Sequence, residues 1–198
     1  PKGETVGDIA SALFAAVGVL AALRQRDATG EAQRVDVAMF DVLVAMADIV
    51  INFASLGVTG GLGAVGIMDG FEADDGWFIA QVIREAQWPS FCAAIEKPEW
   101  AEDPRFATRA AWRELLESDI RPAVEAWAKG KGKLACVEAL TAKGITAGPC
   151  FDAGEVASDP HLNGRHMIVA LERTDDVEEP VLIPGNPLKI EGMPEKLR

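Results

Sequence analysis

The chain has 198 residues, 49% of them apolar, with 31 acidic and 19 basic side chains and a formal net charge of −12. That apolar share can bury a substantial core and excludes the low-hydrophobicity, high-charge signature of a disordered chain. The acidic excess argues against nucleic acid or an anionic membrane as partner, since both want a basic face; a polyanionic small ligand needs only a few arginines or backbone amides.

The first predicted element begins at Val6-Gly7-Asp8. Residues 8 to about 26 are rich in Ala and Leu and read as a helix, with Arg24 and Arg26 toward its C-terminal end. Asp27-Ala28-Thr29-Gly30 stops it. Asp8 is expected to be the N-cap, its carboxylate accepting from free backbone amides. The uncharged run Ile9 to Leu23 is shorter than the about 20 residues that cross a bilayer, and reads as a buried core helix. No signal peptide is visible. The chain starts at Pro1 rather than Met, so the natural N-terminus is expected further upstream.

Gln33 to Ala38, with Val35 and Val37 alternating, reads as a strand. Met39 to about Leu56 reads as a second helix, apolar nearly all round and therefore expected to be buried against a sheet or another subunit. Gly57 to Gly70 holds glycines at 57, 60, 61, 63, 66 and 70 and almost no charge. It is either a linker or a flap whose backbone comes close to a ligand, and it has no P-loop pattern.

Phe71 to Val82 reads as two strands around the turn Asp74-Asp75-Gly76. Glu85 to Ile95 is a short helix and Pro98 to Phe106 an irregular acidic loop. Trp112 to Lys129 is an amphipathic helix carrying Leu115, Leu116, Ile120, Val124 and Trp127 at helical spacing, ended by Gly130-Lys131-Gly132-Lys133. Leu134 to Lys143 is helical, Ile145 to Phe151 strand-like, and Asp152 to Asp159 a short helix. Met167 to Leu171 and Val181 to Ile183 read as strands.

Few constellations carry chemistry. Cys92, Cys136 and Cys150 are far apart, with no CxxC pair and only two histidines in the chain, so no metal site is expected. Their apolar neighbours suit buried, inert thiols in a reducing cytoplasm. His161 and His166 fall in a surface turn and read as structural; no G-x-S-x-G elbow accompanies them. The acidic pairs Asp74-Asp75, Glu102-Asp103 and Asp175-Asp176 read as solvated turns. Asp8 has two readings: a plain cap, or a carboxylate beside amides that can also stabilise an oxyanion.

Seven blocks, in order, decide between them. They are Gly7-Asp8-Ile9-Ala10-Ser11-Ala12; residues 30–39, from Gly30-Glu31 to Ala38-Met39; Phe71-Glu72-Ala73-Asp74-Asp75-Gly76-Trp77; residues 97–106, from Lys97-Pro98-Glu99-Trp100 to Phe106; Gly144-Ile145-Thr146-Ala147-Gly148-Pro149-Cys150; Asp159-Pro160-His161-Leu162; and Pro184-Gly185-Asn186-Pro187-Leu188-Lys189. In this order, over nearly the whole chain, they resemble the class III CoA-transferases, the CaiB/BaiF and formyl-CoA transferase group.

The resemblance implies an α/β fold: a large Rossmann-like domain plus a smaller α+β domain, in an interlocked homodimer. Residues 1–56 would be part of the large domain, 57–150 the small domain with the glycine-rich loop 57–70 at the boundary, and 151–198 a return to the large domain. Asp8 matches the family's catalytic aspartate and Met39 a position lining the CoA pocket. Gly60, Gly61 and Gly63 sit where relatives carry a glycine flap, although the run is interrupted here. The implied activity moves CoA from an acyl-CoA to a carboxylic acid through an aspartyl anhydride and an aspartyl-CoA thioester, without metal or permanently bound cofactor. The alternatives are an α-methylacyl-CoA racemase, whose aspartate works in acid/base exchange, and a non-catalytic scaffold subunit. The racemase pattern has extra glycines after Gly-Asp; Ile9-Ala10-Ser11-Ala12-Leu13 here favours transfer.

Overall fold

The computed structural model describes residues 5–57, 66–175 and 177–192. The chain divides into two compact units, Pro1–Gly63 and Ala64–Arg198.

The first unit is helical. α1 (Val6–Thr29) runs about one turn past the predicted end near residue 26 and stops at Gly30, the last residue of the predicted stop, whose left-handed φ of 78° lets its amide donate to Arg26 O. Residues 31–38 form neither helix nor strand. A strand needs a neighbour for its backbone hydrogen bonds, and among the described residues none lies beside this segment. It crosses α1 instead, and a Cβ added at Gly18 would fall 2.8 Å from Val35 Cγ1.

The expected long second helix is two helices, α2 (Met39–Met46) and α3 (Asp48–Ser55). They part at Ala47, whose amide donates to both Leu43 O and Val44 O. Burial is also a correction. Ile9, Leu13, Val17 and Leu20 of α1 are each more than half exposed, and Ala10 is the buried residue of that helix. The bilayer estimate counted only the uncharged run; α1 extends it on both sides to 24 residues, long and apolar enough by composition to cross a membrane.

The second unit holds a packed core. β1 (Ile67–Ala73) and β2 (Gly76–Val82) form the predicted hairpin, with Phe71 opposite Phe78. β3 (Thr146–Pro149) adds to β2, giving an antiparallel sheet in the order β1-β2-β3. The period of two puts Ile67, Phe71, Phe78, Ala80 and Val82 on one buried face. Against it lie α4 (Trp88–Ala94), α5 (Arg109–Glu114), α6 (Arg121–Ala128) and α7 (Lys133–Thr141). The Trp88 and Trp112 rings stack at 4.6 Å, and Trp112 Nε1 donates to Phe106 O at 2.6 Å. The expected 112–129 helix is α5 and α6 joined by a π turn over Leu116–Ile120. Pro122 enters α6 at its start, where its missing amide hydrogen costs little.

The turns are tied to one another. Asp74 and Asp75 are not merely solvated: Asp74 Oδ1 accepts from the Gly130 amide at 3.0 Å and Asp75 Oδ1 from the Lys133 amide at 2.6 Å. A Cβ at Gly132 would fall 2.9 Å from Asp75 Oδ2, so a larger residue there would displace the Asp75 carboxylate. Lys133 itself is buried, its ammonium donating to Glu155 at 2.6 Å and to Cys150 O at 3.2 Å. Glu155 and Asp152 exchange backbone hydrogen bonds in a capping box that starts α8 (Ala153–Ser158).

α9 (Pro160–Gly164) follows, capped by Asp159, and was not foreseen as a helix. β4 (Ile168–Leu171) and β5 (Val181–Pro184) pair in a separate antiparallel sheet. Every strand pair among the described residues is antiparallel.

Two predictions follow from these contacts. Lys133→Ala would strand the Glu155 carboxylate and Cys150 carbonyl; a loss of about 2–4 kcal/mol is expected in urea unfolding followed by tryptophan fluorescence. Asp69 gives the second. Burial pushes its carboxyl up, but Arg121, the Gly70 amide and Arg113 together hold it below its ordinary range. A depressed carboxyl stabilises the fold above its unfolded pKa and loses that contribution as pH falls. Asp69→Asn should cost about 1–2 kcal/mol at neutral pH and flatten the stability loss on acidification below about pH 5.

Candidate active site

Asp8 is not the N-cap. Thr5 takes that place, without a side-chain capping bond, and its carbonyl accepts the first helical bond, from the Ile9 amide at 3.0 Å. Asp8 lies in the first turn, three residues beyond the cap. The amides of Val6, Gly7 and Asp8 therefore precede the first intrahelical bond. The sequence placed the carboxylate in the right electrostatic setting and missed its position by one turn. A carboxylate here is favoured by the helix dipole. Asp8 is exposed, with no ion-pair partner among the described residues.

Gly7 brings the second predicted residue to this point. A Cβ at Gly7 would lie 3.4 Å from Met39 Sδ and 3.5 Å from Leu43 Cδ1. The start of α2 thus packs directly on the residue before Asp8. Met39 and Leu43 are four apart, hence on one face of α2; the sequence offered that spacing, and Leu43 was not singled out. Ser11 Oγ donates to Gly7 O at 2.7 Å and fastens the same turn. Gly60, Gly61 and Gly63 lie outside the described residues.

In the same unit, a cleft of about 270 Å³ is lined by Phe14, Asp36, Val37, Asp41, Val42 and Ala45, among others. It does not include Asp8. A larger cavity of about 600 Å³ lies within the second unit, walled by apolar side chains of Phe151, Val156, Leu162, Met167 and Leu182.

The thiols divide. Cys92 and Cys136 are buried, and burial pushes the Cys92 thiol up to about 12 and raises that of Cys136. Cys150 is exposed, contrary to its apolar sequence setting, because it leaves β3 with its amide donating to Trp77 O at 2.8 Å and its side chain outside the core. Among the described residues, no group of three or more His, Cys, Asp or Glu side chains is placed to hold a metal ion.

A helix with Gly-Asp in its first turn, and a methionine-led helix packed on that glycine, agree with the ordered sequence blocks. The model of CoA-transferase family III matches residues 2–198, and the chain belongs to that family. Among its relatives, a succinyl-CoA:mesaconate CoA-transferase of Haloarcula hispanica is 30% identical, over 97% of this chain and 49% of the relative. A formyl-CoA:oxalate CoA-transferase of Bradyrhizobium diazoefficiens is 25% identical, over 99% of this chain and 52% of the relative. The chain spans about half the length of the curated relatives it matches. Two solved structures share the fold: Rv3272 of M. tuberculosis, with a TM-score of 0.76, 24% identity and coverage of 98% of this chain and 51% of that one, and a CaiB/BaiF family protein of Brucella suis, with a TM-score of 0.69, 22% identity and coverage of 95% and 53%.

The Gly7 contact is directly testable. Gly7→Ala should be accommodated, since its Cβ meets neighbours at ordinary contact distance. Gly7→Val adds two methyls against Met39 and Leu43 and should cost about 1–3 kcal/mol. Thermal unfolding by circular dichroism should place Gly7→Val well below Gly7→Ala; equal melting would mean that α2 does not rest on Gly7.

Proposed function

We propose that the protein transfers CoA between an acyl-CoA and a carboxylic acid, with Asp8 as covalent nucleophile. The observation that carries this reading is the juxtaposition of Asp8, in a helix first turn whose leading amides have no intrahelical partner, with Met39, packed on Gly7. Family membership and the names of the relatives support it.

The chemistry runs as two matched halves. A carboxylate oxygen of Asp8 attacks the thioester carbonyl, and CoA leaves as thiolate, giving a mixed anhydride. The thiolate attacks the aspartyl carbonyl and expels the donor acid as carboxylate, leaving an aspartyl-CoA thioester. The acceptor carboxylate attacks that thioester, releasing thiolate and forming a second anhydride. Attack of the thiolate on the acceptor carbonyl yields the new acyl-CoA and returns Asp8 to carboxylate. The helix-start amides would bear on each tetrahedral oxyanion at the aspartyl carbon.

Met39 would line the CoA pocket, and Gly60, Gly61 and Gly63 would belong to a flap over the intermediates. Residues 1–56 and 151–198 would be parts of a large Rossmann-like domain and 57–150 the small domain. An interlocked homodimer in a reducing cytoplasm completes the reading, and its second subunit would give the exposed apolar faces of α1 and α2 something to bury against.

Asp8→Asn is expected to reduce CoA transfer on the order of a thousandfold or more while the fold persists. Hydroxylamine added with acyl-CoA should leave a hydroxamate on Asp8, read by mass spectrometry. No adduct, together with deuterium uptake at the substrate α-carbon from heavy water, would instead indicate a racemase. Full activity in Asp8→Asn would indicate a scaffold role for this site.

A further inference from the structure

Between Asp8 and Arg24, α1 carries a single polar side chain, Ser11, among Ala, Leu, Val, Ile, Phe and Gly. Serine is a poorer helix former than the alanines on either side of it, by roughly 0.5 kcal/mol. Its hydroxyl turns back along the helix: Oγ donates to Gly7 O at 2.7 Å.

Such a bond has an evident use at a helix C-terminus, where the last carbonyls lack intrahelical donors. Thr29, Ser55, Thr141 and Ser158 also donate to carbonyls three or four residues back, and each is the last residue of its helix. Ser11 stands at the opposite end, in the second turn of a helix that runs on to Thr29. There Gly7 O already accepts the Ser11 amide in the helical ladder, so no orphan carbonyl calls for the hydroxyl. A hydroxyl added to a helical carbonyl slightly destabilises the helix. Serine at this position is thus unfavourable twice, in propensity and in the ladder.

What the bond reaches is the peptide before the carboxylate. Gly7 O and the Asp8 N–H belong to one planar peptide unit. The Asp8 amide precedes the first intrahelical bond, from the Ile9 amide to Thr5 O, and so points out of the helix start without a partner in the helix. A hydrogen bond accepted at one end of a peptide polarises it and strengthens donation at the other. Two donors on Gly7 O therefore fix the plane of this peptide and make its N–H a stronger donor.

We infer that Ser11 is a positioning residue for the transfer reaction, acting through the Gly7–Asp8 peptide to hold and polarise the Asp8 amide for the oxyanion at the aspartyl carbon. This rests on the reading of Asp8 as covalent nucleophile. Asp8 and Ser11 are three apart and share one face of α1. The hydroxyl hydrogen is committed to Gly7 O, so Ser11 is not itself an oxyanion donor. Its effect belongs to kcat, because the oxyanion is absent from the bound ground state.

The test uses Ser11→Ala, which removes the hydroxyl, Ser11→Thr, which keeps it, and Ser11→Cys, which keeps the shape with a weak donor. Steady-state kinetics should show kcat lowered about three- to tenfold in Ser11→Ala and Ser11→Cys, with both KM values within about twofold; deleting an oxyanion donor outright costs about 10²–10³-fold. Ser11→Thr should bring kcat back to within about twofold of wild type. Melting should not follow activity: Ser11→Ala is expected to unfold at the wild-type temperature or above, since alanine is the better helix former. In isotope-labelled protein without substrate, the NMR resonance of the Asp8 amide nitrogen should move upfield in Ser11→Ala and return in Ser11→Thr.

Unchanged kcat in Ser11→Ala overturns the inference. So does a loss that follows melting temperature and not the hydroxyl, which makes Ser11 structural, or one confined to KM, which makes it a substrate contact. If hydroxylamine traps no adduct on Asp8 in wild type, the functional reading fails separately. The amide resonance then decides alone whether Ser11 sets the Asp8 peptide, and a resonance unmoved by Ser11→Ala refutes it.

Discussion

Lys133 is the one buried charged side chain in the core of the described residues, and burying an ammonium is unfavourable unless each donor finds an acceptor. Here the surroundings are shaped to supply them. The Lys133 amide is held by Asp75 in the β1–β2 turn, and its ammonium by Glu155 at the start of α8 and by the Cys150 carbonyl at the exit of β3. One residue therefore joins the hairpin turn, the start of α7 and the segment leading out of the sheet. The Gly130–Gly132 turn makes this possible, because it lets backbone approach Asp74 and Asp75 closely. An apolar residue at 133 could fill the volume, but it would not select this arrangement of the three parts. Glu155 serves twice, as ion-pair partner and as the capping-box residue of α8, so helix start and buried charge are mutually dependent.

The first unit follows a different logic. Its contacts run along small residues of α1: Gly7 lies against Met39 and Leu43 at ordinary contact distance, and Gly18 leaves tight room for Val35. These fix α2 and residues 31–38 against α1 but bury little, and most large apolar residues of α1 face outward. A helix apolar on all sides is stable in water only when other surfaces cover it. By length and composition α1 also resembles a membrane span, and only Ala10 of it is buried.

Local signals in the sequence were readable where the determining interaction is itself local. Asp74-Asp75-Gly76 specified the hairpin, Gly30 the end of α1, and Asp152 with Glu155 the start of α8. The failures share a cause, since each depends on partners far along the chain. Residues 33–38 have the alternation of a strand, but pairing is decided by a neighbour and not by the segment. The acidic pair Asp74-Asp75 looked solvated because its acceptors are used by Gly130 and Lys133, more than fifty residues on. Asp8 was legible to within a turn. Its carboxylate could have capped, but Thr5 already occupies the site where the backbone leaves helical geometry.

The shift of Asp8 from cap to first turn matters for the proposed chemistry. A capping carboxylate is saturated by the amides it accepts from, and attack by its oxygen would break the cap that holds the helix start. Placed inside the turn, Asp8 owes the helix no hydrogen bond, so acylation of its side chain leaves the backbone ladder intact. Two of the four attacks in the proposed cycle fall on the aspartyl carbon itself, and there the oxyanion develops where a carboxylate oxygen already lay. In the proposed cycle, donors placed for the carboxylate would also serve that oxyanion. Under the proposed cycle, a helix first turn whose leading amides have no intrahelical partner, beside a glycine in contact with Met39, would serve both charge states of one side chain.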